Sequence, residues 1–196
     1  HRPDCNSPFK KLCGAGVVFK LLAAMEDGDY DLVMEEFGDL AAIGTIGDIV
    51  PLKDENRLIV RRGLELLPNT ERLGLKALMR LSGVDGDNIT STDVAFGIVP
   101  RINAAGRFSE PELAVTMLLS EDEDEAQELA QQLCRMNSQR QKTEKDIFNQ
   151  ALSHIKDNPD MLNDRVLILF GEGWHQGVIG IVASRLLEMF QKPVIL

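Results

Sequence analysis

The chain has 196 residues, 44% of them hydrophobic and 27% charged, with a formal net charge of −10. That is enough for one ordinary domain, or one domain and a piece of another, and the apolar content excludes wholesale disorder. No apolar run reaches the roughly 18 residues of a membrane span. The average charge argues against a polyanionic partner, but only weakly, because bases gather in "KDENRLIVRR", "RINAAGR" and "RQKTEK" while "EDEDEAQE" (121–128) concentrates acid.

The first residues are "HRPDC", without a methionine, and the last are "KPVIL", which has the character of a strand. We expect an excised piece of a longer protein, so a missing targeting segment decides nothing. Cys5, Cys13 and Cys134 form no C-x-x-C pair. Neither a zinc site nor a disulfide framework is indicated, and reduced thiols in a cytoplasmic protein are the plain expectation.

In chain order, "SPFKKLCGAGV" (7–17) is a glycine-bearing loop leading into a helix whose apolar stripe is Val17, Leu21, Leu22 and Met25. Lys10 and Lys11 fit either a phosphate contact or solvated surface positions. "DLAAIGTIGDIVPL" predicts a short helix running into a buried strand or loop. Within it Asp48 is the only charge between Asp39 and Lys53. A carboxylate among apolar residues needs a partner. Two readings stand: a helix N-cap or backbone-satisfied acid, and a ligand for a hard divalent cation.

"ENRLIVRRGLELL" (55–67) and "ERLGLKALMRLSG" (71–83) have helical periods separated by a Pro-Asn turn. "TSTDVAFGIVP" starts on good N-cap residues and is expected to stop at Pro100. "PRINAAGR" (100–107) then forms a small polar loop carrying Arg101, Asn103 and Arg107. Guanidinium forks suit phosphate; equally, such arginines pair with acids elsewhere on a surface. "EPELAVTMLLS" (110–120) predicts a short helix with proline in its first turn. The acids of 121–125 fit a solvated helix start.

Residues 121–156 form the longest periodic segment. Leu129, Leu133, Met136, Arg140, Thr143, Ile147, Ala151 and Ile155 recur at three- or four-residue steps, predicting a helix about 54 Å long. Its polar middle favours a connector between two domains over a coiled coil. "RVLILF" (165–170) reads as a buried strand, "GEGWHQG" as a turn, "VIGIVASRLLEMF" as a helix and "KPVIL" as a second, parallel strand. At the turn, His175 fits a phosphate donor or a cap, and Trp174 fits a base-stacking or a packing residue. His1 and His154 carry no clear role, with His154 expected to face solvent. No Ser-His-Asp set can be assembled.

Taken in order, "SPFKKLCGAGVVFKL", "AAIGTIGDIVPLKDENRLIVRRGL", "PRINAAGRF", "MNSQRQKTE" and "GWHQGVIGIVASRL" resemble the RecJ-type exonucleases of the DHH phosphoesterase superfamily over nearly the whole chain. The resemblance implies an α/β fold. Residues 1–120 would be the C-terminal part of a DHH domain with a parallel sheet and helices. Residues 121–158 would be a long connecting helix, and 159–196 the start of a smaller α/β DHH-associated domain. It implies metal-dependent, single-strand-specific 5′ to 3′ DNA exonuclease chemistry in repair and recombination, with Mn2+ or Mg2+ as cofactor. Asp48 falls on the metal-binding aspartate of the family's GT-x-x-D motif, with Gly47 where alanine is commoner. Arg101, Asn103 and Arg107 would act at the scissile phosphate, and Trp174, His175, Gly177 and Arg185 would contact DNA. Implied partners are single-stranded DNA and, as a family expectation, a helicase and a single-strand binding protein, with no membrane. The family's upstream aspartates and its Asp-His-His triplet are not in this sequence, so these residues alone are expected to retain no metal and to be inactive. Two alternatives are a DHH phosphodiesterase of short oligonucleotides or cyclic dinucleotides, and a catalytically dead DNA-binding scaffold.

Overall fold

A computed structural model describes residues 4–84 and 86–196; His1 lies outside them. Helix α1 (Gly14–Met25) begins at Cys13, whose Sγ accepts the Gly16 N–H and lies 3.5 Å from Thr45 Oγ1. Among the described residues Cys5, Cys13 and Cys134 form no disulfide. The helix buries Gly16, Phe19 and Ala23, while Val17, Leu21 and Met25 of the expected stripe are exposed. A helix apolar on every side gives its period no unique inner face. Lys10 and Lys11 are both exposed.

Helix α2 (Tyr30–Gly47) replaces the short helix and buried strand expected around 44–52. The Asp29 carboxylate caps its start by accepting the Leu32 N–H. Thr45 and Ile46 are buried on its inner side, and the Thr45 hydroxyl donates back to the Ala41 carbonyl at 2.6 Å. Tertiary burial overrides the strand preference of these β-branched residues. Helix α3 (Asp54–Leu66) packs against α2 at very close range. A Cβ on Gly63 would stand 2.2 Å from the Gly38 carbonyl oxygen, so glycine is required at this crossing.

A 3-10 turn (Leu67–Asn69) at the Pro-Asn dipeptide leads to α4 (Leu73–Ser82). The next segment differs most from expectation. It runs as α5 (Ser91–Asp93), a π-helical turn (Val94–Ile98) and α6 (Val99–Arg107). The predicted stop at Pro100 does not occur, and "RINAAGR" is helix rather than loop. Proline lacks a donor and clashes with the carbonyl four residues back; the wider π turn just before it removes that conflict. Thr90 and Asp93 form a reciprocal capping box at the start. Hydrogen bonds from Thr90 hold the Asp93 carboxyl below its ordinary value.

Helix α7 (Pro111–Leu119) carries proline at its first position. Helix α8 (Glu123–Asp157) is continuous over 35 residues, about 52 Å, and starts where the Asp122 carboxylate accepts the Glu125 N–H. A 3-10 turn (Pro159–Asn163), β1 (Leu167–Ile168), α9 (Gln176–Phe190) and β2 (Val194–Ile195) complete the chain. The strands pair in parallel, Leu167 with Val194 and Ile168 with Ile195. "RVLILF" is one-sided rather than fully buried: Leu167 and Leu169 are inside, Ile168 and Phe170 outside.

The molecule is therefore helix-rich α/β with a small parallel sheet. Among the described residues no strand precedes Leu167, so a sheet expected within 1–120 is not found there. One apolar cluster joins α4, the π turn, α6 and α7 to the first half of α8 through Leu75, Leu78, Ile98, Ala104, Met117 and Leu133. Another joins the second half of α8 to α9 and the sheet through Ile147, Ala151, Leu167, Val182 and Leu186. A third, around Phe19, Val33 and Ile59, lies among α1, α2 and α3.

Candidate functional site

The end of α2, the exposed face of α6 and the start of α9 enclose an open cleft of about 550 Å³. Its walls include Asp48, Asn103, Arg107, Gln176, Gly177 and Gly180. A smaller pocket of about 290 Å³ opens beside it, sharing Gly47, Asp48 and Asn103 and reaching Cys13 and Gly14 at the start of α1.

Asp48 is neither buried nor an N-cap. It is the exposed C-terminal cap of α2, with its backbone N–H donating to the Gly44 carbonyl while the next N–H, of Ile49, donates to Ile46. Among the described residues its carboxylate has no hydrogen bond and no ion pair. The helix dipole disfavours an acid at this end. Local physics thus gives Asp48 no structural task, while the cleft gives it a place to act.

Asn103 and Arg107 stand four residues apart on α6 and share a face. The Arg107 guanidinium donates to the Gly177 carbonyl at 3.0 Å, tying α6 to α9. Arg101, two residues before Asn103, does not line the cleft. It donates to the Gly97 carbonyl, and its Nε is buried without a partner among the described residues.

At the start of α9 the His175 Nδ1 accepts the Gly177 N–H at 3.1 Å, so the imidazole is the helix cap. Its ring meets Phe108 edge-on at 5.0 Å between centroids. The Val178 N–H also goes to the His175 carbonyl, so much of the first turn's anion-binding capacity is already spent. Trp174 is half-buried as a packing residue. Its Nε1 donates to Gln150 Oε1 at 2.8 Å, and its ring lies so close over Gly171 that a Cβ there would sit 2.2 Å from it. Arg185 pairs with Glu144 and stacks over Phe148 at 4.1 Å. His154 is exposed, as expected.

The structure thus brings together Asp48, Asn103, Arg107 and Gly177, places His175 at the rim as a cap, and commits Arg101, Trp174 and Arg185 elsewhere. Sequence reasoning missed Gln176 and Gly180. Gln176 opens α9 and Gly180 follows four residues on, three after Gly177, and that helical spacing was the available clue.

Gly177 holds the cleft's geometry, because a Cβ there would stand 2.1 Å from the Arg107 carbonyl oxygen, whereas one on Gly180 would meet nothing within 4 Å. Gly177→Ala is expected to cost about 1–3 kcal/mol by overpacking and to loosen α9 from α6. Gly180→Ala is expected to be neutral or mildly stabilising. Urea unfolding of the two variants side by side checks this.

Among the described residues, no three His, Cys, Asp or Glu side chains gather closely enough to hold an ion. Asp48 fits as one hard oxygen ligand and does not suffice alone. No helix among them is long and apolar enough to cross a membrane.

No family model matches the chain. It is 44% identical over 194 residues to the single-stranded-DNA-specific exonuclease RecJ of Bacillus subtilis, covering 99% of this chain and 24% of that protein. The crystal structure of RecJ from Thermus thermophilus in complex with Mg2+ superposes with a TM-score of 0.80 at 38% identity, over 98% of this chain and 29% of that one. A crystal structure of exonuclease RecJ bound to manganese gives 0.85 at 38% identity, over 98% and 48%. The chain spans about a quarter to a third of the length of the curated relatives it matches. Sequence and fold agree that this chain is homologous, along nearly all its length, to one segment of the RecJ single-stranded-DNA-specific exonucleases.

Proposed function

We propose that these residues form part of a metal-dependent 5′ to 3′ exonuclease that hydrolyses single-stranded DNA to mononucleotides in repair and recombination, working in the cytoplasm. The carrying observation is the Asp48 carboxylate, without a partner among the described residues, at the unfavourable end of a helix and facing a cleft beside Asn103 and Arg107. Asp48 is read as one ligand of a Mn2+ or Mg2+ site whose other ligands are not among the described residues. Such an ion, when bound, acidifies a water and offsets the charge that builds on the phosphate. Asn103 donates to a phosphate oxygen, and Arg107 places its charge beside it while keeping α9 in reach. Arg101, Trp174 and Arg185 are assigned to holding the frame, and His175 to fixing the start of α9.

In the same reading, residues 1–120 are the C-terminal part of a DHH domain, 121–158 the connecting helix and 159–196 the start of a DHH-associated domain. The described residues hold no complete metal site, and the 196 residues by themselves are expected to be inactive. A helicase and a single-strand binding protein are the expected partners.

The test compares a RecJ-length chain carrying this segment on long single strands, on duplex and on dinucleotides, with Mn2+. Processive mononucleotide release from single strands is the expected result. Preference for dinucleotides would replace the reading with that of a short-oligonucleotide phosphodiesterase, and metal-dependent DNA binding without hydrolysis would indicate a scaffold.

A further inference from the structure

We infer that Asn56 is a positioning residue for the Asp48 carboxylate, clamping the turn after that acid to the segment that leads into α1. The inference rests on the metal-ligand reading of Asp48. Asn56 lies in the first turn of α3 with 0% of its surface exposed. Its Nδ2 donates one proton to the Pro51 carbonyl at 3.0 Å and the other to the Lys11 carbonyl at 2.7 Å. Pro51 stands three residues after Asp48, and Lys11 two before Cys13, the cap of α1. The pocket beside Asp48 is lined by these same two stretches of chain, Cys13 and Gly14 on one side and Gly47 and Asp48 on the other.

Two features make the clamp more than packing. Asn56 Oδ1 is buried with no partner among the described residues. A buried amide that leaves its acceptor unmatched is a poor way to fill space, since an apolar residue of the same size carries no such cost. The amide is there for its two donors. The turn it grips also needs holding. Ile49, directly after Asp48, has φ +55°, the left-handed region, and the residue is 90% exposed. A β-branched residue in that conformation is a genuine outlier that persists only where its surroundings over-determine it. Backbone bonds from Asp48 to Gly44, Ile49 to Ile46 and Lys53 to Pro51 shape the turn internally. Asn56 fixes it to the rest of the fold, and so sets where the carboxylate stands relative to α1 and α6.

The experiment reads amide hydrogen exchange in the 196-residue chain without metal, for Asn56→Asp and Asn56→Ser. The first keeps the shape and removes both donors; the second is smaller, keeps one donor, and serves if the first does not fold. Amides at 47–50 and 52–53, either side of Pro51, are expected to exchange at least about 10-fold faster while those around Leu133 in α8 stay protected. In a RecJ-length chain the Mn2+ concentration for half-maximal activity is expected to rise at least about 10-fold, as for loss of an outer support of a metal ligand, with KM for DNA unchanged. Unchanged exchange at 47–53, or equal acceleration throughout α8, would overturn the clamp. If Asp48→Asn abolishes activity and the Asn56 variants alter neither readout, the clamp fails and the metal-ligand reading stands. If Asp48→Asn leaves activity intact, that reading fails and the exchange result still judges the clamp.

Discussion

Asp48→Asn is expected to remove at least about 100-fold of the nuclease activity of a RecJ-length chain carrying this segment, the upper end of what losing even an outer support of a metal ligand costs, while leaving its folding intact. The two halves of this expectation come from the same geometry. The carboxylate is exposed, has no bonding partner among the described residues, and caps the C-terminal end of α2, where the helix dipole opposes negative charge. Removing the charge therefore relieves a small local penalty, and the melting temperature should hold or rise slightly. A residue that weakens its own fold and is needed for activity shows the trade between stability and function seen at working sites. Activity assays and thermal unfolding on the same preparations check both halves. Equal loss of activity and stability would mean that Asp48 is structural.

Glu144→Ala should produce the largest loss of stability outside the apolar clusters. Glu144 lies in the polar stretch of α8 between the last residues packed in the first cluster and the first packed in the second. One carboxylate oxygen accepts from Arg140 at 2.9 Å and the other from Arg185 at 2.8 Å, and Arg140 also donates to Asn137 at 2.8 Å. The side chains of Arg140 and Glu144 are only 14% and 13% exposed. Truncating the shared acid leaves Arg140 with a neutral partner and two guanidinium groups without their counter-charge. Breaking a well-buried pair costs about 3–5 kcal/mol, and residual exposure puts this one at roughly 3. Arg185→Ala, which strips only the exposed arm, should cost about 1 kcal/mol or less. Urea unfolding of the two variants checks the asymmetry. A Glu144→Ala loss below that of Arg185→Ala would show that the network does not join α9 to α8.

Much of the frame was legible in the sequence. Three helices stood close to where the sequence put them: α3 by its apolar period, α7 by proline in its first turn, and α8 by its long period and acidic start. The failures have distinct physical origins. "TIGDIV" looks like strand because Thr, Ile and Val favour strands, yet burial of Thr45 and Ile46 against neighbouring helices keeps it helical to Gly47. Pro100 was expected to end a helix, and a single π turn ahead of it lets the helix continue. That one error hid the site's logic, because only on a helix do Asn103 and Arg107 share a face and Arg101 turn away. Asn56 gave no clue at all, since its two acceptors are main-chain carbonyls, one of them 45 residues distant.

The central claim is that Asp48 supplies one ligand to a divalent cation. Binding of Mn2+ to a RecJ-length chain carrying this segment, followed by electron paramagnetic resonance with Asp48 and with Asp48→Asn, tests it without relying on turnover. The account predicts that at least one ion binds about 10-fold or more weakly in the variant, by the same reasoning about metal ligands, with the fold unchanged. The same number of ions held with the same affinity in both proteins would contradict it.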